Sequence, residues 1–111
     1  MPHEFGDVVL APFPFTNQAA VKQCPAVAVS SRAYNAAKPD VIIMAITSQL
    51  RAIASLGEVW IVDWQLAKLL KPSAIKAVFA TLEQNLIIRR LGALQAQDQS
   101  ALRAAIAAVL G

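Results

Sequence analysis

The sequence predicts a mainly β chain with helices attached (α+β), folded as a small curled sheet or barrel. Three observations carry that reading. Short apolar runs rich in β-branched and aromatic residues recur through the first two thirds of the chain, each bounded by Pro, Gly, Ser or Asn. The loops between the early runs are too short for the helical crossovers that a doubly wound parallel sheet requires. The last segment has a helical period. At 111 residues, 1–111 is the length of one domain.

Residues 6–15 are apolar and open the first strand. Pro12 and Pro14 cannot donate ladder hydrogen bonds, so its second half is expected at an edge or bend. Residues 16–23 are polar enough for a loop. Ala26, Val27, Ala28 and Val29 form a short buried strand, opened by Pro25 and closed by Ser30 and Ser31. Residues 35–40 read as a loop punctuated by Pro39. Residues 41–46 are continuously apolar rather than alternating, which predicts a strand covered on both faces. After a linker around Gly57, residues 59–62 make a fourth strand. Residues 64–70 suit a short helix capped by Asp63 and stopped near Pro72. Residues 75–82 return to a strand. Residues 84–91 look helical, ending at Gly92, with Arg89 and Arg90 where the helix dipole favours cations. In the final helix Asp98 is the expected N-cap, and Leu102, Ile106, Val109 and Leu110 share one face.

Hydrophobic residues make up 57% and charged residues 15% of the chain, with a mean hydropathy of +0.50. Such a chain has enough apolar surface to fold, and the surplus predicts that part of its surface is buried in a partner. No apolar run reaches the roughly 18 residues of a membrane span, and residues 1–7 hold no apolar signal region. A cytoplasmic location is expected. With one cysteine and one histidine, an internal disulfide and a Cys/His zinc site are excluded. The formal charge of +3 is compatible with a polyanionic partner.

No Gly-rich phosphate loop, GxSxG or HExxH is present. His3 reads as a surface residue and Cys24 as a partly buried structural thiol, with no neighbouring base to activate it. More informative are two stretches where an apolar strand meets polar groups: Lys22 to Ser30, and Met44 to Gln49. Thr47, Ser48 and Gln49 suit holding a phosphate or a base edge, as well as ordinary strand-end capping. Lys68, Lys71, Lys76, Arg89 and Arg90 face only Glu83 over residues 64–90. That run is either a solvated face or a patch for an RNA backbone. Trp60 and Trp64 suit core or interface packing, with base stacking as the alternative.

Several segments together carry a resemblance. They are Gly6-Asp7-Val8-Val9-Leu10, Pro12-Phe13-Pro14, Lys22-Gln23-x-Pro25-Ala26-Val27-x-Val29-Ser30-Ser31, Tyr34-Asn35 and Ala45-Ile46-Thr47-Ser48-Gln49. Leu70-Lys71-Pro72-Ser73, Thr81-Leu82-Glu83-Gln84 and Leu91-Gly92 follow in the second half. In order and spacing they resemble the MazF/PemK/Kid toxin family of bacterial type II toxin–antitoxin modules, over nearly the whole chain. The resemblance implies an SH3-like or CcdB-like barrel acting as a homodimer. It also implies a metal-independent, cofactor-free endoribonuclease for single-stranded mRNA. The implied partners are a cognate antitoxin and, for the toxin–antitoxin complex, operator DNA.

In such an enzyme the RNA 2′-hydroxyl attacks its adjacent phosphate, which calls for donors or cations against the developing charge and a group to handle protons. Thr47 matches the family's threonine at the end of the third strand. The family's arginine directly before the second-strand proline is replaced by Cys24, a thiol without permanent charge. The acidic/amide pair some members carry on the fifth strand has no counterpart, since Ala77 and Val78 stand there. Lys22 and Lys76 are the nearest substitutes. The resemblance thus implies Thr47 and Cys24 at the catalytic position and Lys22, Ser48, Gln49 and Lys76 on RNA. Three functions follow: an endoribonuclease weakened at Cys24; an impaired member that binds antitoxin and nucleic acid and autoregulates its operon; or a structural barrel dimer.

Overall fold

The computed structural model describes residues 2–13, 22–50 and 53–111, the side chain of Lys22 excepted. Its elements are β1 (Asp7–Phe13), β2 (Lys22–Ala28), α1 (Arg32–Ala37), β3 (Asp40–Thr47), β4 (Val59–Trp60), β5 (Ala74–Glu83), β6 (Arg89–Ala93) and α2 (Ala96–Leu110). The strands form one antiparallel sheet in the order β4-β5-β3-β2-β1-β6. It curls into a half-barrel with α2 packed on it, so the α+β architecture expected from the strand count is the one adopted.

Both faces of the sheet are apolar, which explains why β3 is a continuous apolar run. Met44 and Ile46 join Val8, Val27, Ile75 and Leu102 of α2 on one face, while Val41, Ile43 and Ala45 join Val9, Ala11, Phe13 and Ala26 on the other. Each Val, Leu, Ile, Met or Phe among them, taken wholly out of water, contributes about 1.5–3 kcal/mol.

Four elements differ from expectation. The helix expected over 84–91 is a short 3-10 turn, Gln84–Leu86, followed by strand β6. The cause is tertiary. Residues 89–93 pair with β1, whose N–H and C=O groups would otherwise form an open edge, and Ile88 N–H donates to the Leu10 carbonyl at 2.8 Å. Gln84 Nε2 donates to the carbonyls of Asn35, Lys38 and Asp40, tying the turn to the entry of β3. The loop expected over 35–40 is partly helix α1, N-capped by the Ser31 hydroxyl, which accepts from Tyr34 N–H. The strand expected over 59–62 stops at Trp60. Asp98 is not the N-cap of α2, which is Gln95. It lies one turn in, 1% exposed, and its carboxylate accepts the backbone N–H groups of Val62 and Asp63, both at 2.9 Å.

The helix expected over 64–70 survives as a single turn. Ala67 N–H donates to the Asp63 carbonyl, Lys68 N–H to Gln65 and Leu69 N–H to Trp64. The last two bonds are the paired closure of a Schellman motif. Asp63 contributes through its carbonyl. The loop expected over 16–23 lies outside the described residues except for Lys22 and Gln23, which begin β2. Pro14 and Phe15 also lie outside them. β6 pairs with β1 only from Asp7 to Leu10, so the ladder with β6 stops short of Pro12 while that with β2 runs on to Phe13.

Candidate nucleic-acid cleft

Pro25 sits within β2 rather than before it. The β2–β3 ladder covers only Ala26 to Ala28, opposite Ala45 to Ile43. Pro25, without an N–H, stands just past the last rung. From there the two strands enclose a cleft instead of continuing the ladder. Carried two residues further, the register sets Cys24 against Thr47.

The cleft has a volume of about 760 Å³. Cys24, Pro25, Thr47, Ser48 and Gln49 line one side of it, and Lys68, Lys71, Ser73, Lys76 and Arg89 also line it. The structure therefore brings together all but one of the sequence-predicted site residues. The exception is Lys22, whose backbone opens β2 and whose side chain lies outside the described residues. Cys24 is half-buried and packs against the Val9–Ala26 face of the core. Thr47 Oγ1 accepts the Gln49 N–H at 3.1 Å, so the strand-end capping expected of these residues is present. It uses an acceptor site and leaves the hydroxyl proton available to a ligand.

Two irregularities in the sheet present the cations. Between Met44 and Ile46 the pairing shifts from Phe79 to Ile75, so Ala45 faces residues 76–78, and Lys76 stands in the bulge. Between Val8 and Val9 the partner shifts from Gly92 to Arg90, leaving Leu91 in the bulge and Arg89 opposite Leu10. Bulges re-aim side chains in this way and recur beside functional sites. Arg89 and Leu91 line the cleft, whereas Arg90 turns to Asp7 at 3.3 Å. No Asp or Glu is among the described lining residues.

Sequence reasoning assigned Lys76 to the site but left Lys68, Lys71 and Arg89 in a basic run without a place in it. The signal was their excess over residues 64–90. What hid Arg89 was its reading as a helix C-terminus. Arg90 of the same run is an ion-pair partner on the surface. Neither tryptophan lines the cleft. Trp60 Nε1 donates to Glu58 at 3.2 Å, and Trp64 packs on the core beside Leu69. His3 Nδ1 lies 3.6 Å from Asp7 Oδ2. Among the described residues no group of His, Cys, Asp and Glu is placed to hold a metal ion, and no helix is long and apolar enough to cross a membrane.

No curated protein matches this sequence. Solved structures do match its fold. Toxin MazF-mt6 of Mycobacterium tuberculosis is 23% identical, with 90% of this chain and 91% of that one covered at a TM-score of 0.73. An endoribonuclease in complex with its cognate antitoxin, from a mycobacterial species, is 20% identical over 98% and 95%, at 0.78. MazF in the MazE–MazF complex of Deinococcus radiodurans is 20% identical over 100% and 98%, also at 0.78. The sequence model of the PemK-like, MazF-like toxins covers residues 4–110. On that match and this fold, the chain belongs to the PemK-like, MazF-like toxin family of type II toxin–antitoxin systems.

Proposed function

We propose that this toxin is a single-domain, metal-independent endoribonuclease of the cytoplasm, acting on single-stranded mRNA as a homodimer and silenced by a cognate antitoxin. The observation that carries the reading is the cleft. It joins the Thr47–Gln49 strand end to Lys68, Lys71, Lys76 and Arg89 with no described carboxylate among them. A polyanion with exposed 2′-hydroxyls matches that combination.

In the reaction the RNA 2′-oxygen attacks the adjacent phosphorus, the 2′-proton leaves to a base or water, and the P–O5′ bond breaks. The products are a 2′,3′-cyclic phosphate and a 5′-hydroxyl that takes up a proton. Thr47 offers a hydroxyl donor to a phosphate oxygen, and the cations offset charge that grows in the transition state. Ser48 and Gln49 hold sugar or base edges. Cys24 contributes shape and no charge. Loss of one such donor typically lowers the rate by ~10²–10³, so a slow nuclease is the expected enzyme.

Leu56, Leu66 and Leu70 are 84%, 58% and 93% exposed, large apolar side chains left in water that support burial against a second copy or the antitoxin. The antitoxin's acidic, apolar tail is proposed to compete with RNA for the cleft, and the complex to bind operator DNA. Cys24 supports a second reading, a family member that binds RNA and antitoxin without cutting.

Expression without antitoxin, followed by incubation of the purified protein with single-stranded RNA in excess chelator, tests the reading. Growth arrest and fragments ending in cyclic phosphate are expected. Salt-dependent RNA binding without fragments selects the second reading, and absence of both leaves only a structural dimer.

A further inference from the structure

Lys68 is the one non-glycine residue with positive φ among the described residues, at 69°. It occupies the left-handed position of the Schellman closure, flanked by the bonds from Lys68 N–H to Gln65 and from Leu69 N–H to Trp64. Helix ends of this kind usually place glycine there, because any Cβ crowds the following carbonyl. A long, charged side chain is therefore held in a backbone conformation that costs stability. Such outliers persist only where their surroundings enforce them.

The surroundings here are specific. Gly92, beside the β6 bulge, lies directly under the turn. A Cβ there would stand 2.5 Å from the Ala67 carbonyl oxygen and 2.8 Å from Lys68 Cγ. From the other end the buried Asp98 carboxylate grips the N–H groups of Val62 and Asp63, where the turn begins. Ala67 and Leu69 are core residues. The turn is clamped on three sides, and Lys68 between its core neighbours lines the cleft.

We infer that Lys68 is a phosphate-binding residue held in place at a stability cost, supplying with Arg89 the charge that Cys24 cannot supply from β2. The inference rests on the proposed RNA reading and assigns the backbone contact within it. Strained geometry is retained where function needs it, and relief of the strain then trades activity for stability.

The test measures binding of a fluorescent single-stranded RNA oligonucleotide across a salt series, together with Tm, for the parent, Lys68→Gly, Lys68→Asn, Lys68→Arg and Arg32→Ala. Glycine and asparagine both accept the left-handed conformation, so either variant reports if the other fails to fold. Each is expected to lower the slope of log affinity against log salt by ~0.7, the value of one phosphate contact on a single strand, while Lys68→Gly raises Tm. Lys68→Arg keeps the slope. Arg32, exposed and 3.8 Å from Glu4 outside the cleft, leaves it unchanged when removed. An unchanged slope in both neutral variants overturns the phosphate contact, and a lower Tm in Lys68→Gly overturns the strain. A parent that binds no RNA even at low salt overturns the RNA reading itself, and this inference with it.

Discussion

The two walls of the cleft differ in chemistry and in how they are built. The β2–β3 wall is neutral: Cys24, Thr47, Ser48 and Gln49, set by neighbouring strands whose ladder ends at a proline. The rest of the lining is cationic: Lys68 and Lys71 from a clamped turn, and Lys76 and Arg89 from β5 and β6, which flank β3-β2-β1 in the same sheet. Hydrogen-bonding groups and charges have been separated. A site that lacks a cation on one wall still attracts a polyanion through the other, because attraction between charges reaches further than a hydrogen bond.

The contrast breaks most readily at Asp98. Removing its buried carboxylate takes the charged acceptor from the part-buried Val62 and Asp63 N–H groups, and Asp98→Ala is expected to cost about 3 kcal/mol. Urea unfolding followed by intrinsic fluorescence measures it, and RNA affinity should fall more than the fraction unfolded explains, because the turn carrying Lys68 is released.

Adding charge to the neutral wall erases the contrast from the other side. Cys24→Arg is expected to raise RNA cleavage by about 10²-fold, the reverse of removing one transition-state donor, while Cys24→Ser changes little. Metal-free cleavage assays on both decide the matter. A folded Cys24→Arg protein that cuts no faster shows that Cys24 is not the defect, and loss of robust parental activity in Cys24→Ser makes the thiol itself chemical.

The smallest effect sharpens the comparison. Arg90 neighbours Arg89 in sequence but pairs with Asp7 outside the cleft. Arg90→Ala takes an exposed guanidinium from the buried Asp7 carboxylate, should cost about 1–2 kcal/mol, and should leave the salt dependence of RNA binding intact. Arg89→Ala lowers its slope by ~0.7.

The sequence disclosed these walls unequally, for physical reasons. Thr47, Ser48 and Gln49 were legible because three polar residues end an apolar run, a local signal. The covered faces of β3 were legible from its continuous apolarity. β6 was not, because residues 84–91 carry no local preference strong enough to outweigh pairing with β1 at the far end of the chain. Asp98 resembled an N-cap because its actual partners, Val62 and Asp63, lie 36 and 35 residues away. The turn at 64–69 read as a helix because its hydrogen bonds are helical for one turn, and nothing in the local pattern marked Lys68 as its closing residue.

Strand β6 pairs residue 93 with residue 7, across almost the whole chain. Such a non-local contact forms late, since its loop-closure entropy is lost before the contact yields anything. During synthesis β1, β2, β3 and β5 leave the ribosome first and can assemble the neutral wall. Arg89 reaches the cleft only when β6 docks, and the grip on the Lys68 turn forms only when Asp98 in α2 arrives. Of the four cations, Lys76 on β5 is thus in reach early, while Arg89 and the fixed Lys68 are the last part of the cleft to form. A nascent chain holds the hydroxyls of the site and one lysine before it holds the full set of charges that the proposed RNA reading needs.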